Sequence, residues 1–310
     1  MRCVLVGNYG VGNVGDEALK EYFLSAFPEV QWTVVTASGV GESEVPRLPL
    51  GFRSLLRPWW RTIRAIAKAE FLVFGGGSLF TDVESVWACV IWRAYAVLAE
   101  LLGTPYILAF QGAGPWQTAL GKRLAEKTYR KAVFVSVRDA ESASRVIELC
   151  PSVDPVQSFD PAYALFKRVA PSAQGQGDGV VLIPRSNPTD TFFQSVRKIP
   201  LRTVQRILLL EPEGDRQAAE ELRRIFPDAT VVDIRSVQDL LSSLRSAASV
   251  VTQRYHGAMA ALAMQIPVTI IPQKSGDKLD ALRVALESGA GDQWINLVLD
   301  GEQKLRKILV

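Results

Sequence analysis

The sequence predicts an α/β protein in which two Rossmann-like domains face each other across a cleft. Three observations lead to this prediction. Short apolar, β-rich runs alternate with amphipathic helical patterns, which is typical of parallel sheets covered on both faces. A polar, glycine-rich stretch from Lys167 to Gly179 interrupts this alternation, which then begins again. The chain of 310 residues is long for one hydrophobic core and sufficient for two.

The first half opens with a strand, a glycine-rich loop and a helix. This helix is predicted to begin at Asp16 and to place Ala18, Leu19, Tyr22 and Phe23 on one face. The predicted strands are Cys3–Gly7, Trp32–Thr36, Phe71–Phe74, Tyr106–Phe110 and Phe134–Val137. The further helices predicted between them are Pro58–Lys68, Ser85–Leu102, Ala119–Arg130 and Glu141–Leu149.

The second half repeats the pattern without repeating the sequence. Its predicted strands are Val180–Pro184, Ile207–Leu210, Thr230–Asp233, Ser249–Thr252 and Val268–Ile271. Its predicted helices are Arg216–Phe226, Ser236–Ala247, Gly257–Ala263 and Asp277–Leu286. We therefore expect an N-terminal domain over residues 1–168, a linker, and a C-terminal domain over residues 178–310.

Composition excludes several classes of protein. Thirty-five basic and 32 acidic residues give a formal net charge of +3, which does not indicate nucleic-acid binding. The three cysteines are far apart and the chain has a single histidine, so we predict no metal site. The apolar run at the N-terminus is too short for a secretory signal, and the most apolar helical pattern carries Arg93 and Glu100. We therefore expect a cytoplasmic protein with reduced thiols.

The loop after the first strand contains a GxGxxG pattern formed by Gly10, Gly12 and Gly15. Glycines before a helix expose backbone N–H groups to an anion. The second strand ends without an acidic ribose ligand, which argues against a dinucleotide. Gly12 and Asn13 are therefore candidate substrate contacts. Asp16 is a candidate catalytic residue or, alternatively, only the N-cap of the helix.

Two later strand ends in the first half also carry candidate residues. Gly76, Gly77 and Ser78 follow an apolar strand, where glycines let a ligand approach the backbone; a tight turn is the alternative. Arg138 ends another strand and can hold a carboxylate or phosphate with two hydrogen bonds. The alternative for this arginine is an ion pair with Asp139, which would then cap the next helix.

The second half contributes the histidine and three more cations. His256 follows Arg254 at a strand-to-helix turn, where α/β sites are built, although lone histidines are commonly structural. Lys278 lies near a helix start, where its charge opposes the helix dipole unless an anion compensates it; a solvated lysine is the alternative. Arg185 ends the first strand of this half and is a further candidate anion ligand.

Paired tryptophans form one further motif. Trp59 and Trp60 are flanked by Arg57 and Arg61. Such tryptophans can meet a membrane surface or stack on sugars, and they can also close the edge of a core. The sequence leaves these alternatives open, and with them a peripheral contact with the inner face of the membrane.

Seven motifs in a fixed order resemble the polysaccharide pyruvyl transferase family. They are GNYGVGNVGDEA, FGGGSLFTD, LAFQGAGP, SVRDAES, SFDPAYAL, RYHGAMAAL and GDKL, and the resemblance runs from Leu5 to Leu286. It implies a fold similar to two-domain GT-B glycosyltransferases, and phosphoenolpyruvate as the donor with no cofactor. It also implies transfer of the pyruvyl group to a glycan or lipid-linked saccharide acceptor, forming a ketal on a cell-surface polysaccharide or its precursor. The matching functional positions are Asp16, Arg138, Arg254, His256 and Lys278.

The chemistry of that reaction suits these residue types. Arg138, Arg254 and Lys278 can neutralise the donor's phosphate and carboxylate, each charge-assisted hydrogen bond contributing about 1.5–3 kcal/mol. His256 is the candidate general acid that protonates the methylene carbon, and Asp16 is the candidate base for the acceptor hydroxyl.

Two other functions stay open from the sequence. A glycosyltransferase of the same fold would use a nucleotide sugar, and a non-catalytic sugar-phosphate binding protein would bind its ligand without turnover. A panel of phosphoenolpyruvate, nucleotide sugars and NAD would separate these functions by the ligand that stabilises the protein.

Overall fold

The computed structural model describes residues 1–49, 57–83, 85–170, 177, 179–274 and 277–310. The chain divides into two compact units. The first unit consists of Met1–Val11, Leu19–Pro161 and Trp294–Val310, and the second consists of Gly12–Ala18 and Ala162–Gln293.

The first unit is built on a parallel sheet of seven strands. They are β1 (Arg2–Val6), β2 (Gln31–Thr36), β3 (Glu44–Pro46), β4 (Phe71–Gly77), β5 (Tyr106–Gln111), β6 (Phe134–Val137) and β7 (Val156–Gln157). Their order across the sheet is β3-β2-β1-β4-β5-β6-β7. The central strands are almost fully buried, which explains their continuous apolar sequences.

Helices follow the strands of this sheet, as parallel connections require. They are α1 (Val14–Ala26), α2 (Trp60–Lys68), α3 (Val86–Leu102), α4 (Ala119–Lys131) and α5 (Ala140–Leu149). Helix α3 packs between α2 and α4, and α4 packs against α5. Beneath these helices, the Phe74 ring meets the rings of Phe80 and Tyr106 edge to face, with centroids 5.3 and 6.0 Å away.

The second unit is built on a parallel sheet of five strands. They are β8 (Gly179–Ile183), β9 (Val204–Leu209), β10 (Thr230–Asp233), β11 (Ala247–Thr252) and β12 (Val268–Ile270), in the order β10-β9-β8-β11-β12. Its helices are α6 (Ala162–Val169), α7 (Asp190–Val196), α8 (Pro212–Ile225), α9 (Val237–Leu244), α10 (Tyr255–Ala263) and α11 (Lys278–Glu287). The centre of the sheet, where β9, β8 and β11 lie side by side, positions the residues discussed below.

The last helix, α12 (Trp294–Leu309), belongs to the first unit. The Trp294 ring stacks on Phe159 with centroids 4.7 Å apart, and the Tyr22 hydroxyl donates to Glu302 over 2.8 Å. The compact units therefore differ from the predicted ranges 1–168 and 178–310 at three places, the first of which is Gly12–Ala18, a part of the second unit. Residues 294–310 pack with the N-terminal sheet, and α6 packs against α10 of the second unit.

The predicted fold class of two parallel-sheet α/β domains is confirmed, since each predicted strand overlaps an observed one. In the described part of the chain, two strands and three α-helices were not predicted: β3, β7, α6, α7 and α12. The strands among them have only three and two residues, too few for a periodic pattern. The predicted linker begins inside the last turn of α6, and its residues 171–176 and 178 lie outside the described part of the chain. Among the described residues, no helix combines the length and the apolar character needed to cross a membrane.

Candidate functional site

A short turn between β11 and α10 places the single histidine. Arg254 is the N-cap residue of α10 and has extended backbone angles, φ −103° and ψ 123°. Its backbone N–H donates to the hydroxyl of Thr252 over 2.9 Å, which fixes the turn. His256 therefore lies in the first turn of α10, at the carboxyl end of the second unit's sheet.

The glycine-rich loop of the N-terminal motif lies against this histidine. Residues Gly12–Ala18 are part of the second unit, and the Val14 N–H donates to the Leu210 carbonyl, just after β9, over 3.1 Å. A Cβ atom on Gly15 would lie 1.8 Å from Nδ1 of His256. Only glycine at position 15 lets the imidazole lie this close to the first turn of α1.

Asn13 caps α1. Its side-chain Oδ1 accepts from the Gly15 N–H over 3.0 Å, and its carbonyl accepts from the N–H groups of Asp16 and Glu17 over 3.1 Å. The alternative in which Asp16 is the N-cap is therefore wrong, because Asp16 lies inside the first turn and is half-buried there. Gly12 precedes the cap with φ +82°, and a Cβ on it would meet nothing within 4 Å.

Arg254 forms ion pairs with two carboxylates that start α8. Its Nη2 lies 2.9 Å from Oε2 of Glu211 and also contacts Oδ1 of Asp215, a fully buried side chain. Burial raises the pKa of Asp215, and the guanidinium of Arg254 opposes this rise without cancelling it. Its Nε is buried and has no hydrogen-bond partner among the described residues. These ion pairs match the charge of Arg254. They also connect the turn that leads to His256 to the start of α8.

Lys278 lies near the histidine through an aromatic neighbour. Its Nζ is 5.3 Å from the centroid of the Tyr255 ring, and that ring meets the His256 ring edge to face at 5.4 Å. Lys278 is the first residue of α11, whose N-cap Asp277 accepts from the Leu279 N–H over 2.9 Å. The Lys278 side chain is exposed, so the ammonium group is accessible to a ligand.

Arg185 follows β8 and reaches the loop before α11. Its Nη1 donates to Oε1 of Gln273 over 2.7 Å, and the Gln273 amide donates to the Asn187 carbonyl over 3.3 Å. Arg185 is half-buried. The second unit therefore contains a cationic neighbourhood around the β8, β11 and β12 ends.

In the first unit, Arg138 and Ser78 belong to one hydrogen-bonded network. Arg138, 4% exposed, donates from Nη2 to the Ser78 hydroxyl over 2.8 Å and forms an ion pair with fully buried Asp160 over 3.2 Å. Asp139 caps α5 by accepting from the Ser142 N–H over 2.6 Å, which confirms the capping alternative for this residue. Because Asp160 neutralises Arg138, this guanidinium is held in place before any ligand arrives.

Gly76 and Gly77 end β4 in the left-handed region, with φ of +76° and +78°. A Cβ on Gly76 would lie 2.9 Å from the Leu19 side chain, so both the backbone angle and the space require glycine. The carbonyl of Gly77 accepts from the Gly112 N–H over 2.8 Å. This segment continues as a strand, so the tight-turn alternative is wrong for it.

The predicted residues thus fall into two groups. The second unit brings together Gly12, Asn13, Asp16, Arg185, Arg254, His256 and Lys278, and the first unit brings together Gly76, Gly77, Ser78 and Arg138. The carboxylates that match the arginines, Asp160, Glu211 and Asp215, were not predicted as site residues. Asp160 stands in the SFDPAYAL motif, whereas nothing in the sequence around Asp215 indicates its partner. Among the described residues, no group of three or more histidine, cysteine or acidic side chains could hold a metal.

Comparison with known proteins identifies the family. The family model described as polysaccharide pyruvyl transferase matches residues 13–275, which is most of the chain. The chain belongs to this family. The family is one of transferases, and the predicted resemblance is thereby confirmed. A sequence search of curated proteins gives no significant match.

Solved structures show the fold. The Anabaena protein HepE, in complex with UDP and glucose, superposes with a TM-score of 0.60 and 12% identity, over 100% of this chain and 99% of HepE. The UDP-GlcNAc 2-epimerase of Methanocaldococcus jannaschii superposes with a TM-score of 0.58 and 10% identity, over 99% of each chain. The Neisseria meningitidis UDP-GlcNAc 2-epimerase, bound to UDP-GlcNAc, superposes with a TM-score of 0.53 and 11% identity, over 100% of this chain and 99% of the epimerase. At these identities the likeness supports the GT-B-like fold alone.

Proposed function

We propose that this protein transfers the pyruvyl group of phosphoenolpyruvate to a sugar of a cell-surface polysaccharide or its lipid-linked precursor, forming a pyruvate ketal. The observation that carries this proposal is the position of His256. The only histidine of the chain lies in the first turn of α10, against the glycine loop and next to the Tyr255 ring that Lys278 covers. Membership of the family supports the transferase class.

The donor presents a phosphate and a carboxylate, so it requires cations close to the general acid. Lys278 and Arg185 are the cations that we assign to it in the second unit, because Lys278 is exposed beside the Tyr255 ring and Arg185 lies at the carboxyl end of β8, next to the loop before α11. Each charge-assisted hydrogen bond would contribute about 1.5–3 kcal/mol to binding. Arg138, with Ser78 and the Gly76 and Gly77 backbone, is the anion-binding group that we assign to the first unit.

His256 delivers the proton that starts the reaction. Protonation of the methylene carbon of phosphoenolpyruvate leaves a cationic C2, which the first acceptor hydroxyl attacks with loss of its proton. The C2–O bond to phosphate then breaks, inorganic phosphate departs, and a second hydroxyl closes the ketal ring with loss of its proton. The donor and the diol thus become the ketal and phosphate, with no oxidation or reduction.

Asp16 and Arg254 support this step in different ways. Asp16 lies one residue after Gly15, in the turn that contacts the imidazole, and we assign it the role of base for the acceptor hydroxyl. Arg254 is a positioning residue: its pairs with Glu211 and Asp215 tie the start of α10 to the start of α8. That tie keeps His256 at the carboxyl end of β11.

Replacing His256 by alanine tests the proposal. We expect phosphate release from phosphoenolpyruvate to cease in the presence of a panel of methyl glycosides, while affinity for phosphoenolpyruvate stays within about tenfold, because charges and not the imidazole hold the donor. The products are examined by mass spectrometry for a ketal. Undiminished ketal formation by the variant would remove His256 from the mechanism.

A nucleotide-sugar glycosyltransferase remains the second candidate, since HepE and an epimerase of the same fold were solved with UDP or UDP-sugars. Thermal-shift measurements with phosphoenolpyruvate, UDP-glucose and NAD distinguish the two. Our proposal predicts stabilisation by phosphoenolpyruvate. Stabilisation by UDP-glucose alone would favour glycosyl transfer.

A further inference from the structure

Helix α3 exposes a long face without any charge. Trp87 is 68% exposed, Leu101 is 80% exposed, and Val97 and Leu102 are 38% and 36% exposed. The face also includes Val90, Ile91, Ala94 and Leu98, so it runs from residue 87 to residue 102 at helical spacing. It is about 22 Å long, at about 1.5 Å per residue. Singly exposed apolar side chains are ordinary, but a contiguous face of this size indicates an interaction surface.

The two charges of α3 are turned away from this face. Arg93, 8% exposed, donates to Glu100 over 2.7 Å, and Lys131 of α4 lies 2.7 Å from the same carboxylate. The basic and the acidic residue of α3 therefore pair with each other, and Glu100 also pairs with Lys131 of α4. Its outward side is left with apolar groups only.

The helices on either side of α3 are basic. On α2 and just before it, the exposed side chains include Arg57, Arg61, Arg64 and Lys68, but the last three line a cleft against β2 and β3, together with Glu42 and Glu44. On α4 the exposed basic side chains are Lys122, Arg123, Lys127, Arg130 and Lys131, and one acidic residue, Glu126, is paired with Arg130. Both helices pack directly against α3. Trp60, 56% exposed, lies on α2.

We propose that the exposed faces of α3 and α4 form one surface, the α3–α4 surface, that docks on an anionic lipid bilayer. An apolar, tryptophan-containing helix face bordered by lysine and arginine matches the acyl boundary and the anionic headgroups of such a bilayer. A second copy of the chain is disfavoured as the occupant, because a two-fold pairing over α3 would bring basic helices against basic helices. Trp60 lies outside this surface, because it lines the cleft that α2 forms with β2 and β3, and its membrane alternative stays a prediction.

Vesicle flotation tests this proposal with no donor or acceptor present, so its result is independent of the proposed reaction. We expect the protein to float with equimolar phosphatidylglycerol and phosphatidylcholine vesicles, to remain below pure phosphatidylcholine vesicles, and to be released by high salt. The double variant Trp87→Glu/Leu101→Glu should lose at least about tenfold in partitioning, since acidic groups would enter the apolar boundary. Leu201→Glu, at a 59% exposed site in the second unit, is the matched control and should float normally.

Charge reversal tests the basic border separately. Arg123→Glu/Lys127→Glu should weaken partitioning at least about twentyfold, because each basic side chain near the surface contributes about fivefold. The control Arg223→Glu/Arg224→Glu makes the same change in net charge on exposed residues of α8 and should leave partitioning unchanged. Circular dichroism melting of each variant establishes that it is folded.

Three outcomes would overturn the proposal. The first is equal binding to vesicles with and without phosphatidylglycerol, and the second is no flotation by the parent protein. The third is a dimer in light-scattering chromatography that Trp87→Glu/Leu101→Glu converts to monomer, which would assign the surface to a second copy.

Discussion

Replacing Gly15 by alanine tests whether the glycine loop sets the position of His256. The added methyl group would lie 1.8 Å from Nδ1 and 2.4 Å from Cε1 of the imidazole, whereas an ordinary contact begins at 3.4 Å. The ring or the first turn of α1 must therefore retreat by about 1.6 Å. Forced overpacking of this kind costs about 1–3 kcal/mol. Since about 1 Å of misplacement can cost about 100-fold in rate, we expect turnover to fall by at least that factor.

Two measurements check this expectation. Thermal unfolding should show a melting temperature lower by roughly 2–12 °C, at about 2–4 °C per kcal/mol for a unit of this size. In the double variant Gly15→Ala/His256→Ala the clash is gone, so its melting temperature should match that of His256→Ala. Gly214→Ala is the matched control, because its added methyl has 3.4 Å to the nearest Glu211 atom. If Gly15→Ala changed neither stability nor turnover, the close approach of loop and imidazole would be refuted.

Three further predictions concern buried groups. Arg254→Met should lower the free energy of unfolding by about 3–5 kcal/mol at neutral pH, because it leaves the buried Asp215 carboxylate without its ion-pair partner. The substitution should raise the already raised pKa of Asp215 further, so the loss of stability in urea unfolding should shrink as the pH falls. A loss of stability that does not depend on pH would contradict this prediction. Burial alone would raise the pKa of Asp82, but hydrogen bonds from the start of α4 outweigh it and lower that pKa. Its stabilisation is therefore present at neutral pH and lost in strong acid, so Asp82→Asn should cost about 1–3 kcal/mol at neutral pH and less at acid pH in the same assay. Burial raises the pKa of Cys3 to about 12 and that of Cys89 to about 11. A thiol-specific disulfide reagent should therefore label these cysteines slowly in the native protein and fast in the unfolded protein. Rapid labelling of the native protein would contradict the buried positions of these cysteines.

Continuous apolar runs were sufficient to predict every strand of the two sheets except β3 and β7, and the reason lies in the burial of the predicted strands. Strands β1, β4 and β5 are covered on both faces, so their sequences are continuous apolar runs, which can be recognised without a structure. Helix α12 was not predicted to belong to the first unit. It packs there through contacts with Phe159 and Tyr22, which lie far from it in the sequence. Sequence periodicity identifies an apolar face but not the surface that covers it.

The site was predicted unevenly for a similar reason. Motifs at strand ends indicated His256, Arg254 and Arg138 because parallel strands gather their carboxyl ends at one edge. Their partners, such as Asp160 and Asp215, could not be found in this way, since an ion pair between distant segments leaves no local pattern. The sequence therefore indicated both arginines as donor ligands without the carboxylates that pair with them in the structure, Asp160 for Arg138 and Asp215 for Arg254.

Calorimetric titration with phosphoenolpyruvate tests the central claim most directly, because it needs no acceptor. The account predicts that the parent protein binds phosphoenolpyruvate, that Lys278→Ala weakens binding by about tenfold or more, and that His256→Ala changes it by less than about tenfold. Lys274→Ala, at an exposed position of the loop before α11, is the control and should bind like the parent. Failure of the parent protein to bind phosphoenolpyruvate while it binds UDP-glucose would contradict the account.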